Sequence, residues 1–247
     1  MRSNLLKGGV LAVVLALGSA AQAAAPAKRA VELPPPADLA YELSAQQRGF
    51  GLKGEALIAW RGGDGKYDVN VEARVALLGK LTEYRSHGTV DSYGLAPEEF
   101  YEKRYRKDGT TTAFNRDSKT ISFTDAREPY VMKGGEQDRA SITWQLASVA
   151  RAAGEARFKP GSEWNFIVAG RRDAEPWTFK VVKREKIQTA IGELDTLLVT
   201  RQPRGEGKSE GVDIWLAPGQ EWYPVKLRFR DDERETIEQT ITKITRR

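Results

Sequence analysis

The 247-residue chain contains no cysteine, a single histidine and two methionines. Without cysteine, no disulfide can staple the fold, and thiol nucleophiles, thiol redox chemistry and zinc–thiolate sites are excluded. With one histidine, His87, there is no histidine pair to hold a metal. A Ser-His-Asp triad would have to be built around that one residue, and no Gly-x-Ser-x-Gly elbow exists to present the serine. The chain also lacks an Asp-x-Asp-x-Asp-Gly calcium loop and any cofactor fingerprint. His87 and its neighbours Tyr84-Arg85-Ser86 and Gly88-Thr89 read as an ordinary polar strand. The sequence therefore predicts no catalytic residue, no metal ligand and no cofactor.

There is also no apolar run of the ~20 residues that a membrane-spanning helix needs. The longest candidate, Val10 to Leu17, is much shorter and follows Arg2 and Lys7. Ala21-Gln22-Ala23 comes next, the small-x-small pattern of a signal peptidase site. Residues 1–23 thus read as a secretory signal peptide, and the location predicted is the periplasm. Cleavage would remove Arg2 and Lys7 and no acid, taking the net charge from +5 to +3. That balance and that compartment both argue against nucleic acid as a partner. About 220 residues remain, enough for one sizeable core.

Residues 24–37 form an Ala/Pro-rich segment ending in Pro34-Pro35-Pro36, which predicts an extended tether. Residues 38–247 then read as a single β-rich domain dominated by period-two alternation. Leu39, Tyr41, Leu43 and Ala45 share one strand face; Phe50, Leu52, Ala56, Ile58 and Trp60 share another. Beyond the Gly62-Gly63-Asp64-Gly65 turn, Tyr67, Val69, Val71, Ala73, Val75 and Leu77 alternate with polar residues, as in a half-buried antiparallel strand. Further strands are predicted near 81–93, 99–106, 110–115, 119–124, 163–170, 177–190, 193–201, 211–217, 222–230 and 235–244. One helix interrupts them. Ile142, Leu146, Val149, Ala150 and Ala153 make a helical stripe, with Asp138 placed to cap its start and Gly154 its end. The predicted fold is mainly all-β: an antiparallel open barrel or strongly curled sheet with one helix over 139–153. A membrane-embedded barrel would need a lipid-facing apolar band. Lys103 alternates with Tyr101 and Tyr105, and Arg246-Arg247 stand at the end, so an integral membrane protein is not expected.

Particular segments add a resemblance. Asp138-Arg139-Ala140-Ser141 leads into the helix, and Lys159-Pro160-Gly161 precedes a strand. Thr189 to Thr196 makes a hairpin around Gly192. Ile214-Trp215-Leu216-Ala217-Pro218 runs through a turn to Tyr223-Pro224-Val225-Lys226. In this order and spacing the chain resembles the bacterial domain-of-unknown-function family 3108, from about Leu39 to Ile244. Gln220-Glu221 matches only loosely the acidic residue that the family often places before its Pro-Val pair. The resemblance implies a β-rich fold and an exported protein of the Gram-negative envelope; it supplies no catalytic residues.

Four residues are singled out as candidate ligand or partner contacts. Arg104 and Arg106 share a strand face and read either as an anion site or as a solvated surface. Lys226, Arg228 and Arg230 raise the same two readings. Trp144 lies about 200° around the helix from Ile142, on the side of Arg151. Either it is a partly exposed ring lying over Arg151, or the helix is buried on two sides. Three function classes remain: a carrier or binding module for an apolar or amphipathic envelope molecule such as a lipid, an adaptor for other envelope proteins, and a hydrolase.

Overall fold

The computed structural model describes residues 28–47, 50–76, 78–203, 211–230 and 236–247. The signal segment, most of the polar loop from Gly205 and the acidic run Asp231-Asp232-Glu233 lie outside the described residues.

The first half of the chain lays down eight strands: β1 (Ala37–Gln47), β2 (Phe50–Gly63), β3 (Lys66–Val75), β4 (Gly79–Asp91), β5 (Gly94–Arg104), β6 (Thr110–Asn115), β7 (Thr120–Phe123) and β8 (Tyr130–Val131). A short β9 (Gln137–Asp138) and the helix α1 (Ser141–Arg157) follow. The second half comprises β10 (Glu163–Ala169), β11 (Ala174–Thr189), β12 (Gly192–Arg201), β13 (Gly211–Ala217), β14 (Tyr223–Arg230) and β15 (Thr236–Arg246). All belong to one sheet, ordered β8-β7-β6-β5-β4-β3-β2-β1-β15-β14-β13-β12-β11-β10-β9. Every pairing is antiparallel except β9 with β10. The chain runs from mid-sheet out to one edge, passes through the helix, and returns from the other edge. β1 and β15 meet in the middle, with Leu39 opposite Ile244 and Leu43 opposite Gln239.

The sheet is curled and not closed. Its outermost strands, β8 and β9, are two residues long each, and β9 pairs with only Val168 and Ala169 of β10. Side chains stitch the seam between the halves. Ser86 Oγ donates to Asp138 Oδ2 (2.6 Å), Gln137 Nε2 to the Leu95 carbonyl (2.6 Å) and Thr112 Oγ1 to the Gly170 carbonyl (2.9 Å).

The alternation in sequence places one face inside. Leu39, Tyr41, Leu43 and Ala45 of β1 are buried, as are Ala56, Ile58 and Trp60 of β2 and Tyr67, Val69, Ala73 and Val75 of β3. Outward positions such as Glu42, Ser44, Lys53, Glu55 and Arg74 are exposed. The convex face is thus largely polar. No helix among the described residues is long and apolar enough to cross a membrane.

The helix begins two residues later than predicted, so Ala140 and not Asp138 stands at the N-cap; Asp138 Oδ1 still accepts from the amides of Ala140 and Ser141, both at 2.8 Å. Regular turns end at Gly154, whose φ of 61° is open to glycine and strained for other residues. One more turn, to Arg157, then follows. The helix packs against β5, β9 and β14, so it lies within the curl and spans its two halves. Both faces are therefore buried: Ile142, Leu146 and Val149 on one, Trp144, Ala147 and Ser148 on the other.

Residues 28–36 are extended, as the prolines require, and lie on the domain. Trp60 Nε1 donates to the Pro34 carbonyl (2.8 Å), and the Tyr223 hydroxyl to that of Pro35 (2.9 Å). The Glu32 amide donates to the Ser148 carbonyl (3.0 Å), and Arg29 sits 4.5 Å from the Phe166 ring centre.

Candidate functional site

The helix fills only one end of the curl. Trp144 stacks on Trp60, with ring centres 4.3 Å apart and planes 5° from parallel, and meets Tyr223 edge-on at 6.3 Å. At 1% exposure, Trp144 belongs to the core. The partly exposed alternative for it is overturned, because core surrounds the helix on both sides. Arg151 does not lie under it. Arg151 pairs with Glu32 (2.8 Å) and Glu221, clipping the 28–36 segment and the turn before β14 to the helix. Its guanidinium holds the Glu221 carboxyl below the usual carboxylate range.

At the same level a buried polar chain crosses the seam. The Tyr67 hydroxyl lies 3.0 Å from Ser86 Oγ, which donates to Asp138. Burial pushes the Asp138 carboxyl up to about 6, against the downward pull of its hydrogen bonds. Burial also holds the Tyr67 hydroxyl well above its ordinary range.

The opposite end of the concave face is different. The strand registers align Leu52, Ala45, Ile237, Phe229 and Val212 in one apolar row across five neighbouring strands, β2-β1-β15-β14-β13. All point inward by the pleat. Leu52, Ile237 and Val212 are nevertheless only half-buried, and Phe229 is 38% exposed. Val71 and Tyr84, opposite one another on β3 and β4, also face inward and are half-buried. Among the described residues this inner wall has no complete cover.

Charge collects beside that wall. Arg104 ends β5 on its inward face, its Nε 2.6 Å from Glu102 Oε1. Glu102 is 2% exposed. Arg139 Nη1 approaches the other Glu102 oxygen at 3.8 Å. Arg171 and Arg172 come from the β10–β11 turn and complete the lining of a cavity of about 240 Å³ with Arg104 and Arg139.

Arg106 is not part of this group. β5 ends before it, its φ is 54°, and its guanidinium lies 5.0 Å from the Tyr105 ring centre on the exterior. The predicted common face of Arg104 and Arg106 is thus broken by the turn. Lys226, Arg228 and Arg230 behave as a paired outer face: Lys226 and Arg228 reach Glu238 (2.7 and 2.8 Å), and Arg230 reaches Asp213 (2.8 Å).

His87 is exposed and lines a depression of about 560 Å³ near the β2–β3 turn, with Arg61, Asp64, Lys66, Asp68 and Glu98. In register it stands between Asp68 and Glu99. Among the described residues no group of three or more His, Asp and Glu side chains could hold a metal ion. Arg139, Arg171 and Arg172 escaped the sequence reading. They come from two segments far apart in sequence that meet only when the sheet curls.

Residues 40–241 match the model of a family described as "Protein of unknown function (DUF3108)". The chain belongs to this family. A search of curated proteins finds no match. Among solved structures, this DUF3108 protein is similar to a putative outer membrane lipoprotein-sorting protein domain from Vibrio parahaemolyticus, at 10% identity, with 88% of this chain and 87% of that one covered and a TM-score of 0.36. It is also similar to a DUF1329 family protein from Desulfovibrio piger, at 9% identity, with 86% of each chain covered and a TM-score of 0.29. At these scores the likeness bears on neither function nor local geometry.

Proposed function

We propose that this DUF3108 protein is a non-catalytic binding module of the bacterial envelope. It holds the apolar part of an amphipathic molecule against the open end of its curled sheet. One observation carries the reading: among the described residues the inward row Leu52-Ala45-Ile237-Phe229-Val212 is left partly uncovered, with Phe229 38% exposed, because the helix occupies the other end. Apolar side chains on a concave wall are stabilised when an apolar ligand displaces water from them. The signal-like leader Arg2–Ala23 supports an envelope location.

The test is titration with an environment-sensitive fluorescent acyl probe. The wild-type protein is expected to bind it saturably. Phe229→Asp is expected to weaken binding at least about tenfold, the worth of one buried aromatic contact. Absence of saturable binding, or equal binding by Phe229→Asp, would overturn the proposal.

A further inference from the structure

Four guanidinium groups from three segments share the cavity of about 240 Å³: Arg104 at the end of β5, Arg139 before α1, and Arg171 and Arg172 in the β10–β11 turn. Like charges brought together repel unless acids or a bound anion compensate them. Glu102 serves Arg104 and Arg139, at 2.6 and 3.8 Å, and Asp125 serves Arg171 at 2.8 Å. Two carboxylates against four guanidiniums leave two positive charges. Arg172 makes no ion pair among the described residues. Arg171 Nε is buried without a hydrogen-bond acceptor there, a donor that costs about 1–3 kcal/mol while unmade.

Both Glu102 oxygens are likewise buried without a hydrogen bond, so what a bound anion would offset is the surplus of two positive charges and the unmade Arg171 donor. Guanidinium forks match the paired oxygens of phosphate and carboxylate groups, and arginine is favoured where such groups are held bidentately. The volume lies below the ~300–1,000 Å³ of pockets that enclose a drug-sized ligand, so it suits a headgroup and not an acyl chain. Its position adds meaning. The β10–β11 turn crosses the seam, held by Thr112 Oγ1 on the Gly170 carbonyl and by Asp125 on Arg171. Arg104 faces inward, directly opposite Thr82 and two residues along its strand from Glu102, which stands opposite Tyr84 of the uncovered wall. An oxyanion in the cavity would touch both halves of the sheet while lying beside that wall.

We propose that this arginine cavity is the site for a phosphate group. Resting on the binding role argued above for the concave face, the phosphate is the headgroup of the bound amphiphile. The cavity neutralises it across the seam while the apolar row receives the chain.

The experiment compares three probes by calorimetry on the folded protein: inorganic phosphate, dioctanoyl phosphatidic acid below its micelle threshold, and dioctanoylglycerol, which has the chains without the phosphate. The variants are Arg172→Gln, whose side chain is exposed and unpaired, the double variant Arg139→Gln/Arg172→Gln, and the double lysine variant. Circular dichroism confirms the fold of each. Inorganic phosphate is expected to bind the wild-type protein in a salt-sensitive way. The double glutamine variant is expected to weaken this roughly tenfold or more, with partial recovery by lysine, which restores charge but not the forks. Phosphatidic acid is expected to bind more tightly than phosphate and to lose affinity in the same variants, while dioctanoylglycerol does not. If phosphate fails to bind, or binds the double glutamine variant equally well, the headgroup site is wrong. Dioctanoylglycerol binding would then still support the role of the concave wall. If phosphate binds and depends on the arginines while neither diacyl probe binds more tightly than its chainless counterpart, the site takes free phosphate. The headgroup assignment and the amphiphile role then fail together, leaving the anion site alone.

Discussion

Asp138 offers a test whose sign is unusual for an aspartate. Its side chain is fully buried, its Oδ1 accepts from the amides of Ala140 and Ser141 at the start of α1, and its Oδ2 accepts from Ser86. Burial raises its carboxyl from 3.8 to about 6. A carboxyl raised in the folded state binds its proton more readily there than in the unfolded chain. At neutral pH both states are ionised, and the native state carries the whole desolvation penalty. As pH falls through about 6 the native carboxyl protonates first, and the penalty is gone once pH passes below 3.8. The contribution of this residue to stability therefore increases on acidification, opposite to that of an ion-paired carboxylate. A gap of about two pKa units corresponds to about 3 kcal/mol. Asp138→Asn keeps an oxygen to accept from both amides and cannot ionise. The stability of Asp138→Asn relative to wild type should thus be up to about 3 kcal/mol higher near pH 7 than near pH 4. Urea unfolding of both proteins across that range, followed by far-ultraviolet circular dichroism, measures the difference. A difference that does not change with pH would refute the reasoning.

Trp144→Ala should cost about 3–5 kcal/mol, no less than the ~2–5 kcal/mol expected of Leu146→Ala, since both residues are enclosed. Chemical denaturation of the two variants decides it, and a small loss for Trp144→Ala would contradict the stack on Trp60. At Gly88 a new Cβ would stand 2.2 Å from the Ala96 carbonyl oxygen, whereas at Gly51 it would meet nothing within 4 Å. Gly88→Ala should therefore abolish or severely weaken the cooperative unfolding transition and Gly51→Ala should leave it nearly unchanged; similar melting curves for the two would show that the β4–β5 approach is wrong. His87→Ala should leave acyl-probe binding as in wild type, and a fluorescence titration showing a specific loss in the folded variant would place function at the His87 depression.

The strands were legible where alternation was strong. Every inward position assigned on β1 from Leu39 to Ala45 is buried, and the helix was found in the right place, although its caps are Ala140 and Phe158 and Gly154 is a kink within it. Trp144 was harder because a helical wheel assumes core on one side and water on the other. Here the helix lies inside the curl; the small neighbours Ala147 and Ser148, which let it approach the wall, were the available signal. Alternation alone left Arg104 open between an anion site and a solvated surface and paired it with Arg106, but the backbone turns before that residue. Glu102 hid in the same way, as one more charge in an alternating run, although it stands on the inward face with its charge met from another segment. The edge strands β8 and β9 are too short to carry any periodicity. The cavity itself depends on bringing residues 104, 139, 171 and 172 together, which only the curled topology does.

The open end of the curl is expected to hold an amphipathic molecule. The most direct measurement is native mass spectrometry of the full chain expressed in a Gram-negative host and purified without detergent, with organic extraction of the same sample. An adduct of lipid mass is expected on the folded protein, recovered in the extract and absent from Phe229→Asp. A wild-type protein that carries no adduct, yields no lipid on extraction and does not take up phosphatidic acid supplied in excess would contradict it.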